Sequence, residues 1–114
     1  MVCDLSYLTE MMDGKKHLIK EIMDEFLKQI PGELQSIDEG VAKADFGIIK
    51  NFSHKMRSSV SIMGISSLVP VLQEMEDLGS SASEMERIVV LNQQLHSICG
   101  EAMAEIEREQ VSYE

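Results

Sequence analysis

The sequence is short of aromatic residues, proline and basic side chains, and each shortage excludes a class of structure or function. It has no Trp, and only 4% of its 114 residues are aromatic, whereas nine are Met. A core of aliphatic side chains and Met is typical of packed helices, because sandwiches and barrels require more β-branched and aromatic residues. Two prolines are too few to interrupt long helices often. The composition therefore predicts an all-α protein.

The shortage of basic residues restricts the partners. The chain has 10 Lys and Arg against 20 Asp and Glu, a formal net charge of −10. This charge argues against nucleic acid, which is bound through Lys and Arg that neutralise phosphates. It also argues against an anionic membrane surface, and no apolar run is long enough to cross a bilayer. The first residues lack the features of a signal peptide, so we expect a cytoplasmic protein.

Cysteine is scarce as well, with Cys3 and Cys99 far apart and outside any CxxC pattern. Disulfides are rare in the cytoplasm, and a metal site would need further ligands near these positions. We therefore expect two free thiols, buried or incidental, and no bound metal.

Helical periodicity, in contrast, runs through most of the chain. Apolar residues spaced by three and four form one stripe through residues 15–43. The stripe keeps its phase across Pro31-Gly32, which predicts a single helix with a kink there. Further amphipathic helices are predicted at 46–63, 67–78 and 84–109.

Local signals predict how these helices begin and end. Asp45 is the expected N-cap of the second long helix, and Gly64 follows its end. Residues 79–82 are predicted to form a loop, and Ser83 with Glu86 a capping box for the last helix. Such short connections make neighbouring helices antiparallel. We predict a single domain, 1–114, folded as an up-down four-helix bundle with a short N-terminal capping helix.

His54 lies in the most distinctive part of the sequence, a window from 46 to 73 that contains no Asp or Glu. It lies two positions before the core residue Met56, which rotates it about 200° from the apolar stripe and toward solvent. The residues that share its face or flank it are basic or small and polar: Lys50, Lys55, Arg57, Ser58 and Ser61. A neutral imidazole near neutrality is a nucleophile. The pattern indicates a site where a phosphate is accepted and released.

A solvated surface histidine is the simpler interpretation, and the other histidines help to judge it. His17 has no serine-rich face around it, and His96 falls beside the core seam, where a hydrogen-bonded packing role is expected. Other chemistries are weaker still. The window contains no acid for a Ser–His–Asp site, and the chain has no Glu-x-x-His motif for a di-metal bundle.

The residues from Ser53 to Ser59, followed by Met63-Gly64, Leu68 and Leu72, resemble the signature of histidine-containing phosphotransfer (HPt) domains. The resemblance covers residues 4–79 well. It implies that His54 is the phosphoacceptor and that Arg57 and Gly64 occupy the family's lysine and glycine positions.

Two positions depart from the family pattern. Arg57 keeps the charge of the usual lysine but replaces a point charge with a planar fork. Ser58 replaces the glycine that lets a partner approach the imidazole closely.

The resemblance also implies a function. The chain would be a phosphorelay carrier without independent turnover, exchanging a phosphoryl group with response-regulator receiver domains and interacting with a hybrid sensor histidine kinase. No intrinsic cofactor is expected, because Mg²⁺ belongs to the acidic receiver pocket, and a monomer is expected. Two alternatives remain: a module of the same fold that binds receivers or kinases without being phosphorylated, and an unrelated helical interaction bundle.

Overall fold

Five α-helices make up most of the described part of the chain. The computed structural model describes residues 2–113, and its helices are α1 Ser6–Met11, α2 Lys16–Ala42, α3 Phe46–Ile62, α4 Leu68–Ser81 and α5 Met85–Gln110, followed by a 3-10 turn, Val111–Tyr113. Each long helix packs on the next, and α5 packs back on α2. This closed arrangement confirms the four-helix bundle. No strand occurs within the described residues, and none of their helices is long and apolar enough to span a membrane.

The apolar stripe of α2 becomes one side of the core, as its spacing predicts. Its six inward positions are buried: Ile19, Met23, Phe26, Ile30, Leu34 and Ile37. The helix continues through Pro31 without interruption. Pro31 and Gly32 are both exposed, so the missing backbone donor lies where water can reach the helix. One long helix, rather than two, therefore spans this side of the bundle.

The start of α3 also agrees with the prediction. The Asp45 Oδ1 accepts a hydrogen bond of 3.1 Å from the backbone N–H of Ile48, which makes Asp45 a working N-cap. This fixes where α3 begins and hence the rotation of every later residue on it.

The end of α4 corrects the predicted loop at 79–82, because the helix continues to Ser81. Gly79 is a buried helical residue, and a Cβ there would lie 2.9 Å from the backbone nitrogen of Lys50. The glycine thus permits α4 to approach α3 closely instead of ending the helix.

The predicted capping box at Ser83 and Glu86 is wrong. The Ser83 Oγ lies 2.6 Å from the Ser81 Oγ, and the N-cap of α5 is Glu84, which makes no side-chain cap hydrogen bond. Ala82 and Glu84 both have positive φ, 51° and 55°. This backbone path places the Ser83 hydroxyl against α4 instead of over the first turn of α5.

The N-terminal segment, residues 2–4, is hydrogen-bonded to α5 and to the residue Gly64 just after α3. The Glu105 carboxylate accepts hydrogen bonds from the backbone N–H of Val2 and Cys3, at 2.7 and 3.2 Å. Burial raises the pKa of Glu105, but these hydrogen bonds outweigh burial and hold it below its ordinary value. The N–H of Asp4 donates to the carbonyl of Gly64 at 3.0 Å. The segment therefore joins the end of α3 to α5.

Both cysteines are free and buried, as expected. Burial raises the pKa of the Cys3 thiol to about 11 and that of the Cys99 thiol to about 12. Both side chains therefore stay protonated near neutrality and behave as small apolar groups.

Candidate functional site

His54 lies in the middle of α3, and its side chain is 67% exposed. Its neighbours Ser53 and Met56 are buried, so the helix presents the imidazole outward from a packed base. The rotation inferred from the apolar stripe is thus confirmed. The packed helix therefore holds the imidazole on the surface with its base fixed.

The strip around the imidazole is only partly a row of free polar groups. Lys50, Ser58 and Ser61 are exposed, but the Ser61 hydroxyl donates to the carbonyl of Arg57 at 2.8 Å. The Ser61 donor is therefore used within α3. Lys50 and Ser58 remain open to solvent on either side of His54.

The acid-free window does not remain acid-free in three dimensions. Glu76 on α4 brings its Oε1 to 3.1 Å from the Nδ1 of His54, and its side chain is only 18% exposed. No hydrogen bond reaches the other ring nitrogen, Nε2, from any residue of 2–113. The imidazole therefore has one nitrogen held by a carboxylate and one directed to solvent.

The Arg57 guanidinium is hydrogen-bonded within the same cluster. Its guanidinium donates to the side-chain oxygen of Gln73, and its Nη2 lies 3.1 Å from the Glu76 Oε1 and 3.2 Å from the His54 Nδ1. Arg57 is thus no free cation, and its charge offsets that of Glu76. The interpretation of this face as uniformly basic needs correction, since Arg57 is paired with Glu76, Lys55 lies 3.9 Å from Glu33, and only Lys50 forms no ion pair within residues 2–113.

Gln73 and Glu76 are the site residues that the sequence does not reveal. They lie 19 and 22 residues after His54, on another helix. The signal available was their spacing of three on α4, which places both on one helical face. That spacing does not say which residue of α3 the face meets, because the contact depends on how the two helices are rotated.

Gly64 lies apart from this cluster. It has φ 66° just past the end of α3, ten residues or about 15 Å of helix beyond His54. A Cβ on Gly64 would lie 1.8 Å from the backbone oxygen of Asp4. The glycine is therefore required by the close approach of the N-terminal segment, and its role in binding phosphate or a partner stays a prediction.

Lys55 points toward α2 on the other side of His54. Its Nζ lies 5.9 Å from the centre of the Phe52 ring and 3.9 Å from the Oε2 of Glu33. Glu33 is buried, and neither of its carboxylate oxygens has a hydrogen-bond partner among residues 2–113. Burial raises the pKa of Glu33, and the charge of Lys55 opposes this only in part.

We expect Glu33→Leu to stabilise the fold, because it removes a buried charge that has no hydrogen bond. The free energy of unfolding at pH 7 should rise by about 1–3 kcal/mol. The pKa of Glu33 is raised in the folded state, so its cost is present at high pH and relieved as pH falls. The gain should therefore shrink in acid. Urea denaturation at pH 7 and pH 4 measures it, and an unchanged or lower stability at pH 7 would show that Glu33 is satisfied.

The other histidines differ from His54. His17 is exposed near the start of α2. His96 does form the expected hydrogen bond, but on the surface rather than in the core, with its Nε2 2.8 Å from the Asp38 Oδ1. Asn92 donates to the same oxygen at 2.8 Å. Within residues 2–113 no group of three or more His, Cys, Asp or Glu side chains could hold a metal ion.

Comparison with known proteins agrees with this geometry. The sequence model of the Hpt domain matches residues 21–109, which includes α5, beyond the residues 4–79 where the motif resemblance is clearest. The crystal structure of histidine-containing phosphotransfer protein B (HptB) from Pseudomonas aeruginosa PAO1 is similar over 99% of this chain and 97% of that chain, with a TM-score of 0.90 and 18% sequence identity. That likeness is one of fold. No curated protein sequence matches significantly.

Proposed function

Since this chain belongs to the Hpt domain family, we propose that it carries a phosphoryl group on His54 between response-regulator receiver domains. The family makes it a histidine phosphotransfer module of a phosphorelay. We propose His54 as the phosphoacceptor and receiver domains as both donor and acceptor of the phosphoryl group. A hybrid sensor histidine kinase is proposed as a further partner. We also propose that the protein is cytoplasmic and monomeric and has no catalytic turnover of its own.

The proposed step needs only one nucleophile from this chain. The Nε2 lone pair of His54 forms a bond to the phosphorus of a receiver's aspartyl phosphate. The bond from phosphorus to the aspartate oxygen breaks, and its electron pair leaves on the aspartate carboxylate. The reverse step returns the phosphoryl group to a second receiver's aspartate. Such transfers depend mainly on positioning and on charge stabilisation, and Mg²⁺ would be supplied by the receiver.

The observation that carries the proposal is the state of the His54 ring. Its Nε2 is open to solvent while its Nδ1 is held from within the bundle at 3.1 Å. His96 shares the contact with a carboxylate, and His54 differs from it in lying within the stretch 53–59 that resembles the family signature. Transfer of labelled phosphate from a phosphorylated receiver to the protein, and its loss when His54 is replaced, tests the proposal.

The surroundings of His54 are suited to a protein partner. A small apolar hollow between α2 and α3, lined by residues such as Ile22, Phe26 and Ile62, lies about two helical turns from the imidazole. The exposed Lys50 lies one helical turn before His54, on the side away from the hollow, and the exposed Lys55 directly follows His54. An acidic receiver pocket rimmed by apolar residues would be complementary to this surface.

We expect Lys50→Glu to slow association with a receiver by about threefold to tenfold at low salt, because it reverses a charge beside the docking site. The deficit should shrink as ionic strength rises and screens the field. Stopped-flow association rates from 20 to 500 mM salt would measure it. Lys16→Glu, the same charge change far away at the start of α2, serves as the control. Equal slowing by both variants would mean that only net charge matters.

The second candidate function, binding without phosphorylation, is favoured by Ser58. Serine stands where the family has a glycine, and its side chain is exposed one helical turn after His54. The hydroxymethyl group occupies space that a receiver would enter. If Ser58→Gly creates phosphoryl uptake where the natural chain has none, the protein is such a binding module.

A further inference from the structure

Glu33 is a buried acid on α2 that depends on one lysine of α3 for its counter-charge. Its side chain is only 6% exposed, and neither carboxylate oxygen has a hydrogen-bond partner among residues 2–113. In the same part of the chain, the one cation within ion-pair distance is Lys55, whose Nζ lies 3.9 Å from the Glu33 Oε2. Because a buried and unpaired carboxylate is costly, Glu33 strongly attracts this ammonium group.

The Lys55 side chain is able to leave Glu33 without disturbing the core. Lys55 directly follows His54, so the two side chains leave α3 about 100° apart. The Lys55 side chain is 66% exposed, and its Nζ lies 5.9 Å from the centre of the Phe52 ring. Rotation about its flexible four-carbon stem moves the ammonium group between α2 and the exposed imidazole.

A phosphoryl group on the Nε2 of His54 would be a second anion for this lysine, since it adds about two negative charges to the surface. Arg57 lies at the other edge of the ring, with its Nη2 3.2 Å from Nδ1, and its charge is offset by Glu76. Lys50 forms no ion pair within residues 2–113 and has no partner to leave. Lys55 is therefore the neighbouring cation that has to choose between two anions.

We propose that Glu33 and the phosphoryl group on His54 compete for the ammonium group of Lys55, so that Glu33 destabilises the phosphorylated protein and makes it a better phosphoryl donor. The competition rests on the proposed function, because it concerns the state in which His54 carries the group. Glu33 acts through Lys55 and does not touch the phosphoryl group, so it is a positioning residue. When Lys55 turns to the phosphoryl group, Glu33 is left buried without a counter-charge.

The other titratable groups near Glu33 supply no substitute for Lys55. On α5, burial and then the charge of Glu33 raise the pKa of the Cys99 thiol to about 12, so the thiol stays neutral. On α2 itself, Asp38 is an acid and is bonded to His96 at the surface. Replacing Lys55 therefore isolates its effect on Glu33.

The pairing is tested in the unphosphorylated protein by ¹³C NMR titration of the Glu33 carboxyl group. Burial raises the pKa of Glu33 and the charge of Lys55 opposes this, so Lys55→Met should raise the pKa further. Lys50→Met removes the same charge one helical turn before His54 and should leave that pKa unchanged. If Lys55→Met leaves the pKa where it was, Glu33 does not hold Lys55. Circular dichroism checks that each variant is folded.

The competition is tested with phosphoramidate, a small phosphoryl donor that needs no partner protein. The Nε2 lone pair bonds to phosphorus as the bond from phosphorus to the amino group breaks and ammonia leaves. The ³¹P resonance that is missing in His54→Gln identifies the group on His54. Glu33→Gln frees Lys55, so the titration midpoint of this phosphoryl group should fall by roughly 0.3–0.7 pH units, the size of a partly exposed ion pair. Glu25→Gln, the same change at an exposed position two turns earlier on α2, should leave the midpoint in place.

Double variants separate competition for Lys55 from direct repulsion between the two anions. In a Lys55→Met background, Glu33→Gln should no longer move the midpoint. In a Lys50→Met background its effect should persist. An equal effect of Glu33→Gln with and without Lys55 would overturn the competition, because the two anions would then act on each other directly.

The consequence for transfer is measured as the equilibrium between a phosphorylated receiver and the phosphorylated carrier. Glu33→Gln should shift it toward the carrier by about twofold to fivefold. If no receiver labels the natural chain but the midpoint falls as expected, the carrier function fails and the competition stands. If the carrier function holds and Glu33→Gln changes neither the midpoint nor the equilibrium, the competition alone fails. If neither phosphoramidate nor a receiver labels His54, both are overturned.

Discussion

Replacing His54 with glutamine should reduce phosphoryl uptake from a phosphorylated receiver to background. Glutamine has no nucleophilic nitrogen, whereas its amide N–H can still donate to Glu76, so the site should stay folded. The label on the natural chain should be stable in base and labile in acid, as expected of a phosphorus–nitrogen bond on a ring. Gel separation after incubation with a labelled receiver, followed by acid and base treatment, measures both properties.

His96 supplies the control for this experiment. It is the other histidine bonded to a carboxylate, at 2.8 Å from Asp38, but it lies between α5 and α2. His96→Gln should leave the label unchanged. Label that persists in His54→Gln would overturn the assignment of the phosphoacceptor. Receiver binding without any label on the natural chain would favour the phosphorylation-inactive module, and self-association without receiver affinity would favour an unrelated bundle.

Gly64→Ala should lower the free energy of unfolding by roughly 3 kcal/mol or more, among the larger effects of a single substitution. Two costs add: a left-handed φ of 66° for a residue with a side chain, and a Cβ only 1.8 Å from the oxygen of Asp4. The N-terminal segment would have to leave its place between α3 and α5. Urea denaturation followed by circular dichroism measures the loss.

Gly100→Ala is the matched control for that prediction. Gly100 is helical, and a Cβ there would meet nothing within 4 Å. The same change should therefore stabilise the chain by about 0.5–1 kcal/mol. A loss of less than 1 kcal/mol at Gly64 would mean that the segment shifts easily. Slow phosphoryl uptake by fully folded Gly64→Ala protein would instead support the predicted role of Gly64 toward phosphate or partner.

The helices could be predicted because their signals are local. The spacing of Ile19, Met23 and Phe26 puts them on one face of α2, and Asp45 caps the start of α3. Both signals depend on interactions within one helix or with the core as a whole. The loop predicted at Gly79 is wrong because glycine occurs both at helix ends and where two helices approach closely. Only the position of Lys50 on α3 decides between these two roles. The capping role predicted for Ser83 is wrong because Ala82 and Glu84 adopt positive φ, and neither residue type signals that conformation in the sequence. The extent of the single domain stays a prediction.

The site was predicted in part for the same reason. The exposure of His54 follows from its distance to Met56 along one helix, and the structure confirms it. The contacts of Arg57 with Gln73 and Glu76, and the position of Glu76 beside His54, depend on the rotation of α4 against α3. That rotation is set by many core contacts at once, so a stretch of sequence without Asp or Glu does not by itself predict a surface without them.

The division of the site between two helices has an evolutionary consequence. The exposed charges beside His54 are on α3, whereas Glu76, which contacts its ring, and Gln73, which contacts Arg57, are on α4. Under the proposed function, substitutions at Lys50 or Ser58 would change which partner is accepted without altering the ring. Under the proposed function, a substitution at Glu76 would change the contact to the ring and leave the exposed residues of α3 in place. Partner choice and reactivity can thus diverge separately among descendants of one gene.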